Sequence, residues 1–157
     1  SNFILGLCYE NLPNKEKALK HYQKAVQYKS DNATCLFHLA LAEKSFNMDS
    51  LSIAHFNKSL EVSLPKGRAL RTYKWLADLH FLHNRYEEAA HDFELCIAYD
   101  EEDDPLNYYN TAQMFIAAKN KLKAKLYLQM FIANANRLED KKSAAQLISK
   151  AKEQLKQ

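Results

Sequence analysis

The sequence predicts an all-α fold: an α-α superhelix of four stacked helix–turn–helix repeats closed by a C-terminal capping helix. Three observations predict it. First, a pattern small-xxx-aromatic-xx-small-aliphatic recurs along the chain. It reads Ala18, Tyr22, Ala25, Val26, then Ser52, Phe56, Ser59, Leu60, then Ala89, Phe93, Cys96, Ile97, and more loosely Ala124, Leu128, Phe131, Ile132. The opening positions are 34, 37 and 35 residues apart. Second, each copy is preceded by a small residue with a larger one three later: Gly6 and Tyr9, Ala40 and Glu43, Ala77 and His80, Ala112 and Phe115. From that small residue to the one opening the pattern, the interval is 12 in all four copies. Third, the 157 residues hold only two glycines and three prolines, too few for a turn-rich β fold and suited to helices on short connections.

The elements follow in order, each repeat having a helix A and a helix B. The first A helix, near 2–11, begins at once on Phe3 and Ile4 with no polar cap, so further repeats are expected to precede Ser1. Asn14 is placed to cap helix B at 15–29, and Asp49 to cap the next B helix at 50–63. Between those B helices, the A helix at 32–46 carries Ala40, small enough for close approach to its partner. The three extra residues between the second and third copies fall in SLPKGR, a lengthened turn with Pro65 and Gly67. Helices near 68–83 and 86–99 repeat the scheme, with Phe93 filling the gap to the next unit. The acidic run DEEDD at 100–104 sets negative charge ahead of a helix at 105–118, which the helix dipole favours. Lysines at 119, 121, 123 and 125 surround the turn into a helix at 121–134. A ninth helix at 139–156 keeps Ala144, Leu147, Ile148, Ala151 and Leu155 on one face, and repeat arrays need such a cap. The repeats span about 1–30, 31–65, 68–101 and 105–136, in one array.

This spacing and register resemble the tetratricopeptide repeat, a unit of about 34 residues. The resemblance covers residues 1–136. It departs from the family where a tryptophan-like position holds Asn2, Leu36, Tyr73 and Tyr108, and where a closing proline is replaced by Ser30, Leu64, Glu101 and Asn136.

The sequence offers little for catalysis or cofactors. Cys8, Cys35 and Cys96 are odd in number and form no CxxC pair, so they read as small buried hydrophobes. Buried thiols suit a reducing compartment, while a periplasmic or membrane-tethered parent also fits. His80 and His83 sit three apart on a helix, but zinc needs three or four ligands, and His80 occupies a packing position. DEEDD lacks the spaced ligands and glycine of a calcium loop. No glycine loop for phosphate and no nucleophile elbow occurs. No apolar run reaches the length of a membrane span. A net charge of +3, with no aromatics interleaved among the clustered lysines, does not predict nucleic acid as partner. The expectation is a non-enzyme without cofactor or metal.

The resemblance implies that A helices line a concave groove, with positions 2, 5, 9 and 12 of each unit facing it. Here these include Phe37, Leu41 and Lys44, then Arg71, Lys74, Asp78 and Phe81, then Leu106, Tyr109, Gln113 and Ile116. The mixture of apolar anchors and charges suits a peptide or helix of a partner protein. Packing between neighbouring A helices is an equal alternative for Phe37, Leu41 and Phe81. Family members that clamp acidic chaperone tails place Lys and Asn at set positions. Starting from the first copy those positions hold Phe3, Leu7, His38, Arg71 and Trp75, so no such clamp is expected. A second functional reading is a structural spacer or self-associating segment, with the apolar start at Phe3, Ile4 and Leu5 as its contact surface.

Overall fold

The computed structural model describes residues 2–10, 14–29 and 31–156, with backbone only at 8–10. Asn11, Ser30 and the side chains of Cys8 and Tyr9 lie outside what is described. Among the described residues the secondary structure is helical throughout. The helices are α1 Asn2–Glu10, α2 Lys15–Tyr28, α3 Ala33–Ser45, α4 Asp49–Val62, α5 Lys66–Leu82, α6 Tyr86–Tyr99, α7 Pro105–Ala117, α8 Lys121–Asn134 and α9 Lys141–Gln154. A single 3-10 turn, Ala135–Arg137, separates α8 from α9. The chain groups into two compact units, Ser1–Thr72 and Tyr73–Gln157, with the division inside α5.

In the first unit α1 packs on α2, α2 on α3 and α3 on α4. Its core holds Ala18, Tyr22 and Leu39, with Phe3, Leu7, Leu19 and Val26 packed around them. Gly6 explains how α1 and α2 approach so closely. A Cβ built on it would lie 2.5 Å from Cε1 and 2.6 Å from Cδ1 of the buried Tyr22 ring. Gly67, by contrast, has nothing within 4 Å of the same position. Alanine normally improves a helix over glycine by about 1 kcal/mol. Gly67→Ala is therefore expected to stabilise by a few tenths to about 1 kcal/mol. At Gly6 the enclosed ring cannot withdraw, and overpacking costs about 1–3 kcal/mol, so Gly6→Ala is expected to destabilise. Urea unfolding of the two variants should move the midpoint in opposite directions.

In the second unit α6 packs on α7, α7 on α8 and α8 on α9. Its larger core joins Tyr108, Tyr109, Ala112, Leu128, Phe131, Ala135 and Ala151, with Leu147, Ile148 and Leu155 of α9 against it. The apolar stripe of α9 is thus what closes this end.

In the second, third and fourth repeats the turn from helix A to helix B has one geometry. Asn47, Asn84 and Lys119 all have positive φ, 56°, 58° and 59°. The next amide in each turn donates back over the helix end: Met48 to Glu43, Arg85 to His80 and Asn120 to Phe115. This is the left-handed closure that satisfies a helix's last carbonyls, and asparagine tolerates it better than lysine.

Caps differ from the sequence reading. Asn14 stands at the N-cap of α2 without a side-chain bond, its ψ of 59° lying outside the usual extended region. Asp49 is the first residue of α4 rather than its cap, and Met48 occupies the cap position. Side-chain caps are instead made by Asn32 to the Cys35 amide, Asp104 to Leu106, Asn120 to Lys123, and Asp140 to both Lys142 and Ser143.

Candidate functional site

The residues expected to line a groove fall in both units, and each set is described within its own. In the first unit Phe37 is buried against Phe56, ring centroids 6.0 Å apart, with His38 edge-on at 5.4 Å. The Arg71 guanidinium lies 6.0 Å from the Phe37 centroid. Phe37 is therefore a core side chain and not an anchor open to a ligand: α4 supplies the ring that covers it. Leu41 and Lys44 are half-buried, and Arg71 is exposed.

In the second unit Lys74, Asp78 and Phe81 follow one another at i, i+4 and i+7 on α5, and so share a helix face. Lys74 is half-buried and Asp78 exposed. Phe81 is 48% exposed and touches the Tyr86 ring, centroids 5.6 Å apart. Tyr109 corrects another expectation. It is buried, 5.0 Å from the Phe131 ring, and its hydroxyl is enclosed without a hydrogen-bond partner. Its neighbour one turn on, Gln113, exchanges two amide hydrogen bonds of 3.0 and 3.1 Å with Gln154 of α9. Ile116, at the end of the same helix, is exposed.

A regularity within repeats was missed from sequence. In the second, third and fourth repeats the position three beyond the small residue of helix A meets the residue twelve later on helix B. In the second repeat this is Glu43 with His55, Oε2 to Nδ1 2.7 Å. In the third it is His80 with Asp92, Nδ1 to Oδ2 2.6 Å, both buried. In the fourth it is Phe115 stacked on Tyr127 at 5.7 Å. The constant interval of 12 was the signal that could have found these pairs. Burial holds the Asp92 carboxyl above its usual range, while the hydrogen bond and charge of His80 pull it down. With its ring nitrogen Nδ1 on Asp92, His80 leaves Nε2 buried without a partner.

The other chemical candidates are also placed. Burial pushes the Cys96 thiol up to about 12, with Lys74 opposing the rise. Burial also raises Cys35. Both are therefore thiols rather than thiolates at neutral pH, which makes them poor nucleophiles. DEEDD is a structured turn. Asp100 accepts from the amides of Glu102 and Asp104 and from the Asn107 side chain. Asp103, at φ 51°, accepts from the Tyr108 hydroxyl and from Arg137. Those two donors hold its carboxyl below the usual range. Among the described residues no group of three or more His, Cys, Asp or Glu is placed to hold a metal. None of the described helices is long and apolar enough to cross a membrane.

The lysines of the 119–125 patch have different roles. Lys123 pairs with Glu94 at 3.0 Å and lies 4.8 Å over the Phe115 ring. Lys119, Lys121 and Lys125 border a cavity of about 410 Å³ between α7, α8 and the end of α9.

Compared by sequence alone, the chain matches no family profile and no characterised relative. Solved structures resemble it closely in fold. MamA residues 41-end from Desulfovibrio magneticus RS-1 superposes with a TM-score of 0.68 at 15% identity, covering 99% of this chain and 93% of that one. The TPR-like repeats of a Podosopora anserina kinesin light chain give 0.68 at 15%, covering 98% and 84%. A chain of the APC/C hetero-tetramer Cut9-Hcn1 gives 0.66 at 16%, covering 96% of this chain and 29% of that one. The protein is thus an all-α helical-repeat protein. Its fold is that of the tetratricopeptide repeat, as the spacing of its small residues implied.

Proposed function

We propose that the chain is a non-catalytic protein-interaction scaffold, and that in its second unit side chains of α5 and α7 receive a peptide or helix of a partner. The observation that carries this reading is the stripe Lys74, Asp78, Phe81 on one face of α5. A half-exposed aromatic beside a cation and an anion is the composition of an interface anchor, since aromatics supply most of the energy where partners meet. Arg71, Leu41 and Lys44 offer a similar mixture in the first unit. Phe37 and Tyr109 have no part in it.

The test is selection of a displayed random-peptide library on the whole chain. Enriched peptides are expected to bind the Lys74→Glu/Phe81→Ala variant about tenfold or more weakly, as loss of an aromatic anchor implies. Far-UV circular dichroism should be unchanged, because both side chains lie outside the core. Undiminished binding of every enriched peptide would remove this face from the proposal.

One observation favours the second reading. Ile4 and Leu5 on α1 are 58% and 43% exposed, an apolar edge suited to self-association. Sedimentation as a function of concentration separates the two.

A further inference from the structure

α9 covers the last repeat without filling the space against it. Of its apolar stripe, Ala144 and Ala151 are buried, while Leu147, Ile148 and Leu155 stay half-buried. The A helices bury large side chains instead: Leu36 and Leu39 of α3, Leu76 and Leu79 of α5, Tyr108 and Phe115 of α7. At the end of α9 a recess of about 410 Å³ stays open between Ile116 of α7, Ala124 and Leu128 of α8, and Leu155. Well-packed interiors hold few voids larger than a water molecule. Tyr109, in the same core as Ala151, keeps its hydroxyl enclosed without a hydrogen-bond partner. A buried polar group left unpaired is costly.

The attachment of α9 is correspondingly light. It is tied to α7 by the neutral amide bonds between Gln113 and Gln154. Such bonds add little net stability, because water offers the same groups equivalent partners. α9 also carries its own start. Asp140 accepts from the amides of Lys142 and Ser143 and from the Ser143 hydroxyl, so the first turn is capped without help from α7 or α8. Large apolar side chains half in water, a recess at one end and an unpaired hydroxyl together describe a face that its present cover fits imperfectly.

We propose that the face of α7 and α8 against α9 is a docking site for an amphipathic helix of a partner protein, which displaces α9. The occupant's chemistry follows from the cover it replaces. It is apolar at i, i+3, i+4, i+7 and i+11, the spacing of Ala144, Leu147, Ile148, Ala151 and Leu155, as helices held in apolar grooves are. Small residues take the places of the buried Ala144 and Ala151, and an aromatic takes the place of Leu155, where the recess has room. A second copy's α9 would bring the same Leu155 and leave the recess open, which is why the occupant is a different protein. This goes beyond the α5 stripe, since it concerns another face of the second unit.

The probe is a labelled synthetic peptide of residues 139–157 carrying Leu155→Trp, added to the full chain and followed by fluorescence anisotropy. It is expected to bind about tenfold or more tighter than the unaltered peptide, because the larger side chain buries more apolar area in the recess. Either peptide must compete with the tethered α9. A Leu147→Ser chain, whose own α9 is weakened, should therefore bind each about tenfold or more tighter than the natural chain does. Leu155→Ser, at the far end of the stripe, is a second chain variant with the same expected gain. Unchanged amide exchange in α6 and α7 shows that the repeat beneath stays folded in each. Lys74→Glu/Phe81→Ala should leave the affinity as it was. Equal affinity of the two peptides, or no gain in either α9 variant, would overturn the proposal. Loss of binding in Lys74→Glu/Phe81→Ala would also overturn it, placing the peptide on α5 and leaving the scaffold reading standing. A dimer formed by exchange of α9 between copies, seen by sedimentation at the assay concentration, would overturn the partner and assign the face to a second copy.

Discussion

Replacing His80 by phenylalanine is expected to destabilise the protein by about 3–5 kcal/mol at neutral pH, the cost of leaving a buried carboxylate without its partner. His80 and Asp92 are both almost wholly enclosed, with 2.6 Å between Nδ1 and Oδ2. Burial already raises the Asp92 carboxyl above its ordinary 3.8, and His80 is the largest influence opposing that rise. Without the imidazole the folded-state value must climb further. A group with a raised folded pKa contributes its stability below the unfolded value and loses it as pH rises through the folded one. The deficit of His80→Phe should therefore be smallest below 3.8, where Asp92 is protonated, and should widen toward neutrality. Loss of packing alone would give a deficit independent of pH. Denaturant melts at several pH values distinguish these outcomes. Adding Asp92→Leu should restore most of the lost stability, because an apolar pair of similar volume often replaces a buried ion pair without penalty. The fourth repeat already does this with Phe115 and Tyr127.

The fold was legible because its determinants are periodic. Ala40, Ala77 and Ala112 are buried on the A helices, and Ala18, Ser52, Ala89 and Ala124 on the B helices, as their spacing requires. Ser52 shows the closeness directly, its hydroxyl donating to the Ala40 carbonyl at 2.8 Å. Caps were less legible. Whether Asn14 or Asn32 bonds to its helix depends on backbone angles that neither residue type nor position reveals. The candidate surface was least legible. The resemblance to the repeat family nominates Phe37, Phe81 and Tyr109 for the groove face, but which of them stays open depends on covering side chains elsewhere in the chain. Phe56 covers Phe37, and Phe131 covers Tyr109. Phe81 stands in the last turn of α5, where Tyr86 meets one side of its ring and leaves half of it exposed. The recess beside α8 requires α9 to supply Leu155, a long-range relation that the lysine cluster alone does not contain.

Truncating Phe131 to alanine is expected to cost about 3–5 kcal/mol, the usual loss for a fully buried aromatic. The ring is wholly enclosed. It meets Tyr109 of α7 at 5.0 Å and belongs to the core that includes Ala135 and Ala151. Two effects add. Burial of the ring's apolar area is forfeited, and the side chains that surrounded it give up their dispersion attraction across a cavity too enclosed to collapse. Collapse is resisted from both sides. Tyr109 cannot follow inward without moving α7, whose Gln113 is tied to Gln154 by paired amide bonds. The end of α8 is held by the 3-10 turn into α9, whose Ala135 is itself buried. Phe131→Leu keeps much of the volume and should cost less than half as much. Chemical denaturation of both variants measures this order. If Phe131→Ala lost no more than a surface truncation, about 0.5 kcal/mol, the ring would not be the element that joins the last repeat to its cap.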